Sequence, residues 1–235
     1  DVLASPFCRK CDLWGAELID PLVDEKNYVL VLSYTRSGSR QKVARMNVRN
    51  GSISKSVSVP PQTRQLVRAH TKRPRFAVSG NDAGDRLVHY RAVKEVEWSK
   101  VGQYPYPGGW IRPVGFNSDE SKALVLDSRD GGTEAVGFAD LRLQTVEYLY
   151  RDAMTDITGY DIDESDQIYA ASTGIGKPRR TILDPDHPRV AALQRLEASF
   201  PEEAVRIVSS TRDGKLHLVG TYSDKNAGTY YLYDQ

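Results

Sequence analysis

Short apolar runs separated by compact polar turns make up nearly the whole chain, and the last repeat shows the pattern best. From Ala204 to Asp234 it reads AVRIVSSTRDGKLHLVGTYSDKNAGTYYLYD. Three strand-like runs, Val205–Ser209, Leu216–Tyr222 and Thr229–Tyr233, flank turns at Asp213-Gly214 and Asn226-Ala227-Gly228. Gly, Asn and Asp accept the positive φ of tight hairpin turns at little cost, so this is β-meander chemistry.

The second strand of this unit recurs upstream. VLVLSY starts at Val29, FAVSG at Phe76, ALVLDS at Ala123, IYAAST at Ile168 and LHLVGTY at Leu216, with steps of 47, 47, 45 and 48 residues. A preceding strand is expected at Ala16–Asp20, Gln65–His70, Ile111–Phe116, Ile157–Ile162 and Val205–Ser209. A following strand is expected at Lys42–Val48, Arg86–Val93, Glu134–Leu141, Arg179–Leu183 and Thr229–Tyr233. Fourth strands fit Ile53–Val59, Val96–Lys100 and Thr145–Tyr150. A steady period of this size, built from units that cannot bury both faces alone, predicts an all-β fold, a β-propeller of about five four-stranded blades. The blades fall at roughly 16–59, 64–101, 110–151, 156–200 and 204–235, within one propeller domain covering 1–235.

The fourth unit breaks the pattern. After Leu183, the segment Asp184-Pro185-Asp186-His187-Pro188 leads into RVAALQRLEASF, which Pro201 stops. Pro188 suits a first helical turn, and Val190, Leu193, Leu196 and Phe200 share a face, so a helix is expected over 188–200, packed against the blade's outer edge. The fifth unit reaches Gln235 without a fourth strand. Either residues 1–7 complete it, closing a five-bladed ring, or the chain is part of a longer propeller.

Charge narrows the partners. The 32 Lys and Arg against 31 Asp and Glu leave a net charge of +1, which argues against a nucleic-acid surface. No apolar run approaches the ~18 residues of a membrane-spanning helix, so no membrane partner is expected. The chain does not begin with Met, and its first residues are not a secretory signal, which leaves periplasmic, secreted and cytoplasmic locations open. Cys8 and Cys11 form a lone CxxC without a second ligand pair, so neither a metal nor another cofactor is expected. The acidic stretch Asp156–Asp166 fails the calcium-loop template: a loop starting at Asp161 puts Asp166 at the glycine position and Ser172 at the bidentate Glu position. It coincides instead with the hairpin turn of every other repeat.

Inner strands of a propeller line its channel, so their polar side chains are the ligand-binding candidates: Arg68, His70, Arg112, Tyr160, Asp161 and Arg206. Arginine forks hold carboxylates bidentately, which suits peptide termini or acidic groups. The competing expectation is that these arginines pair with Asp161, Glu17 or strand carbonyls. The aromatic loop Tyr104–Trp110 is expected to pack between blades, and the short basic clusters Arg73/Arg75 and Arg179/Arg180 to be solvated.

From Leu183 onward a family resemblance is carried by the LDP, the helix with its Leu-Gln pair, the Phe-Pro, the Arg-Ile-Val-Ser strand, the Asp-Gly turn and the Tyr-Ser-Asp…Gly…Tyr-Tyr-Leu ending. This segment resembles the end of the propeller domain in bacterial members of the prolyl oligopeptidase family of serine peptidases, of the dipeptidyl- and acylaminoacyl-peptidase type. WGAELIDPLVDEKNYVLVL and RMNVRNG are similar to earlier blades of that family, less distinctively. The resemblance implies a seven-bladed propeller, of which about two blades would precede these five. It also implies a C-terminal α/β-hydrolase domain as intramolecular partner, and peptide substrates. The nucleophile elbow, Gly-x-Ser-x-Gly, is missing: no serine here has glycine on both sides at that spacing, Ser172 having only Gly174. The expectation is a non-catalytic propeller that caps a peptidase active site, with no catalytic residues of its own. The alternative is a self-contained propeller that binds a ligand or protein, and a glycosidase-like use of channel carboxylates is disfavoured by the few acids on inner strands.

Overall fold

Residues with apolar side chains on both sides of a strand need cover on both sides, and the second strand of each repeat has it. In the computed structural model, β6 (Pro74–Gly80) is buried at every position but its last, and β10 (Ala123–Asp127) throughout. The structure describes residues 13–22, 25–35, 40–71, 73–163, 165–211 and 213–234.

Five antiparallel sheets follow one another along the chain. The first comprises β1 (Leu13–Asp20), β2 (Tyr28–Thr35), β3 (Gln41–Asn47) and β4 (Ile53–Ser58). In the second, β5 (Thr63–Arg68), β6, β7 (Arg86–Tyr90) and β8 (Ser99–Tyr104) pair in that order. The third holds β9 (Ile111–Phe116), β10, β11 (Ala135–Ala139) and β12 (Val146–Tyr150). Two three-stranded sheets follow: β13 (Gly159–Ile162), β14 (Ile168–Thr173) and β15 (Arg179–Ile182), then β16 (Ala204–Ser210), β17 (Leu216–Tyr222) and β18 (Thr229–Asp234). Between them lies the helix α1 (Pro188–Ser199). The fold is all-β, a β-propeller of five blades with one short helix.

The chain forms two compact units. One runs to Gly115 and takes in Leu141–Gln144; the other comprises Phe116–Asp140 and Thr145–Gln235. In the first, Leu32, Val43 and Val59 make a core with Ile19, Leu66 and Trp98, so the first two sheets bury each other's apolar faces. In the second, α1 is the adhesive. Val190 and Leu193 pack on Tyr169 and Ala170 of β14, while Leu196 packs on Val205 and Val219 of β16 and β17. The expected helix is therefore present, but it contributes core to two sheets instead of decorating one outer edge. His187 caps it, its Nδ1 accepting from Arg189 N at 3.2 Å, while its ring stacks on Tyr169 at 4.5 Å.

Several expected boundaries moved. β7 ends at Tyr90, not Val93, and β8 starts at Ser99 where Val96 was expected. The ladder pairs Arg86 with Tyr104 and Tyr90 with Ser99, which leaves Val96 outside it and 77% exposed. β5 ends at Arg68, so His70 lies beyond its strand. Arg86 clasps the aromatic loop. The Arg86 guanidinium lies 4.8 Å from the Tyr106 ring and 4.9 Å from Trp110, and donates to Gly108 O at 2.9 Å. The acidic stretch is a turn, with Asp163 Oδ1 accepting from Ser165 N and Gln167 N, both at 2.8 Å. Residues 1–7, the Cys8/Cys11 pair and Glu164 of the acidic stretch lie outside the described residues.

Candidate functional site

In the second unit the fourth and fifth sheets diverge around a cleft of 520 Å³. β13 brings Tyr160 and Asp161 to it, β15 brings Arg180, α1 Glu197 and β16 Arg206. Successive strand residues point to opposite faces, so Arg206 turns outward from a strand whose neighbour Val205 is buried.

Arg180 organises this cleft. Its side chain is only 11% exposed, and each guanidinium nitrogen is used. Nε donates to Asp161 Oδ2 at 2.7 Å, Nη2 to Val205 O at 2.8 Å, and Nη1 to Glu197 Oε1. Burial works to lower the Arg180 pKa, but the charges and acceptor oxygens of Asp161 and Glu197 outweigh it and hold the group above the usual guanidinium range. The Arg179/Arg180 pair was expected to be solvated. That holds for Arg179, which is exposed and pairs with Asp152 at 3.1 Å, and fails for Arg180.

Arg206 is the counterpart. It is exposed on the cleft wall and makes no ion pair or hydrogen bond with the described residues, apart from its backbone ladder. Three cations (Lys177, Arg180, Arg206) face three carboxylates (Asp161, Glu197, Glu203). Arg180 is consumed by two of those acids and Lys177 donates to Pro201 O, so the open fork is Arg206, with Tyr160 and Tyr222 beside it. Such a surface can hold a carboxylate and stack a planar or apolar group.

The six sequence candidates thus separate. Tyr160, Asp161 and Arg206 share this cleft. Arg68, His70 and Arg112 belong to the other unit. Arg68 pairs with Asp20, and Asp161 with Arg180, so the arginines expected to neutralise Asp161 are not those that do. Arg180, Glu197 and Lys177 were missed, because their approach depends on how α1 returns to the sheet.

Two hydroxyl–imidazole contacts resemble nucleophile–base pairs, but their setting is that of a sheet. Ser210 Oγ lies 2.7 Å from His217 Nδ1 and Ser79 Oγ 3.1 Å from His89 Nε2. Ser210 and His217 are cross-strand neighbours, and His217 is 1% exposed, which closes it to a substrate.

No family model and no curated protein matches the sequence. Among solved structures, one from a study of two prolyl endopeptidases and their inter-domain dynamics superposes over 94% of this chain and 33% of its own, at TM-score 0.53 and 11% identity. That likeness shows the fold. TolB from Acinetobacter baumannii matches at TM-score 0.48 and 11% identity, over 88% of this chain and 51% of its own. The β-propeller domain of the Trilobed protease from Pyrococcus furiosus matches at TM-score 0.45 and 12% identity, over 94% of this chain and 69% of its own. The chain spans a third of the length of the prolyl endopeptidase and about half that of TolB.

Proposed function

We propose that this chain is the non-catalytic propeller of a prolyl oligopeptidase family peptidase, which caps a hydrolase domain and admits peptides while excluding folded proteins. The observation that carries the reading is the C-terminal stretch from Leu183 to Asp234, whose helix, Asp-Gly turn and Tyr-Tyr-Leu ending resemble that family's last blade. The fold agrees with it: a prolyl endopeptidase superposes on 94% of the chain. Within the cleft, the open fork of Arg206 suits the carboxylate terminus of a passing peptide.

The isolated chain is expected to leave fluorogenic proline-containing peptides uncleaved. Turnover that a serine-directed phosphonate abolishes contradicts the assignment. The reading frame after Gln235 supplies the second arm, because a hydrolase domain with Gly-x-Ser-x-Gly is expected there.

A stop codon at that point favours the second reading, a self-contained binding module. Arg206 is the observation behind it, since a guanidinium without an ion pair among the described residues, on a 520 Å³ cleft, has a use whether or not a hydrolase follows.

A further inference from the structure

One face of the last sheet is apolar and exposed. Residues paired across neighbouring strands share a face, and the register couples Arg206 with Gly220, Gly220 with Tyr230, and Leu218 with Leu232. Alternation along β17 and β18 adds Leu216, Tyr222 and Asp234 to the same face. A bulge between Ile207 and Ser209 turns Val208 to it as well. A Cβ on Gly220 would come within 3.2 Å of Val208 Cγ2 and 3.5 Å of the Tyr230 ring. The opposite face carries Val205, Ile207 and Val219, which pack with Leu196 of α1 and with Phe200.

Exposure divides along these faces. Val205 and Val219 are 4% and 0% exposed, whereas Val208 is 40%, Tyr230 62% and Leu232 72% exposed. Single apolar side chains at a surface are ordinary, but a contiguous group on one sheet face marks a contact surface. The charges of this face stand at opposite corners. Arg206 lies on β16, in the row of Gly220 and Tyr230, and Asp234 ends β18, in the row of Leu216. Both side chains are exposed, and neither makes an ion pair or a side-chain hydrogen bond with the described residues.

We propose that this face pairs with the same face of a second copy of this chain, forming a two-fold dimer. An isologous contact needs a patch that complements itself. A two-fold axis between the two sheets, perpendicular to the diagonal from Arg206 to Asp234, sets each Arg206 against the partner's Asp234. Leu218 then lies at the centre, with Val208, Tyr230 and Leu232 around it and the two ion pairs outside them. A face with charge of one sign would repel its copy. Pairing of two β18 edges, the other way for a copy to extend this sheet, leaves Arg206 two strands away from the contact. The proposal goes beyond the peptidase reading and does not rest on it. Arg206 also lines the cleft, so a peptide carboxylate held there and a second copy exclude each other.

Sedimentation velocity of the purified chain, run at rising concentration, tests it. A reversible monomer–dimer equilibrium is expected, with a dissociation constant of about 1–100 μM. Leu232→Asp puts a charge into the apolar part of the contact and is expected to raise that constant at least about tenfold. Arg206→Asp and Asp234→Arg each set like charges against one another, and each is expected to raise it about tenfold. The two together restore opposite charges and are expected to return the affinity to within about threefold of the wild type. All three positions are exposed, so the variants are expected to keep the wild-type circular dichroism. A chain that stays monomeric up to about 200 μM leaves this face to a different protein surface and overturns the proposal. So does an association that Leu232→Asp or either single reversal leaves unchanged, or a double variant that associates no better than the single ones.

Discussion

Arg180 and its neighbour Tyr169 show how much a single position depends on its surroundings. The sequence presents Arg179-Arg180 as one basic pair, yet one side chain is solvated and the other closes a buried three-way contact with Asp161, Glu197 and Val205 O. Arg180→Met is expected to lower stability to urea by about 2–3 kcal/mol, by leaving Asp161 without its cation. The lower part of the buried-pair range applies because Glu197 is 39% exposed and water compensates it. Adding Asp161→Asn to that variant is expected to recover part of the loss, since no uncompensated carboxylate then remains on β13. Tyr169 supplies a pH dependence. Burial, then the negative charge of Asp161, raise its pKa to about 12 against Arg180's opposing charge. A raised phenol pKa means that the folded protein keeps a proton which the unfolded chain releases near pH ~10. Its contribution to stability is therefore complete below pH ~10 and disappears as the pH climbs to about 12, a loss of roughly 2 kcal/mol. Tyr169→Phe is expected to flatten that alkaline decline in urea melts between pH ~10 and ~12, while changing stability little at neutral pH.

At the level of elements, legibility followed burial. The second strands were readable because both of their faces are covered, which turns them into unbroken apolar runs such as FAVSG and ALVLD. Outer strands such as β12 and β18 are exposed at most positions, so their ends were set by hairpin chemistry at turns such as Asn226-Ala227-Gly228 before β18. Where a connection lacked such a turn the reading slipped, and the β7–β8 register, which a strand's own residues do not encode, decided the outcome. Helix α1 was legible from Pro188 and its apolar spacing, but its double attachment was not. Leu193, almost fully buried against Tyr169 and Ala170, carries the attachment to the fourth sheet. Leu193→Ala is expected to cost about 3 kcal/mol in chemical denaturation, the usual range for a leucine truncated in a closed core.

For the molecule as a whole, the five repeats of the sequence become five successive antiparallel sheets. Under the proposed function, the isolated chain is expected to leave fluorogenic peptides uncleaved, and the reading frame after Gln235 is expected to continue into a hydrolase domain. Of the six candidate site residues, Tyr160, Asp161 and Arg206 converge on one cleft. Their inner-strand positions were visible in the repeat, whereas their partners came from α1 and β15, elements that the sequence placed without saying where they return. The same holds for Arg75: it and Arg73 were expected to be solvated, and Arg73 is exposed, but burial of Arg75 beneath Arg91 and Tyr90 is a property of the packed sheet. Period, turn chemistry and strand-forming runs are local, acting over a few residues, and so the fold class and the five-unit count could be read from the chain. Charge balance inside a cavity is non-local: it depends on which side chains from distant repeats end up sharing one low-dielectric space, and only the folded packing chooses them.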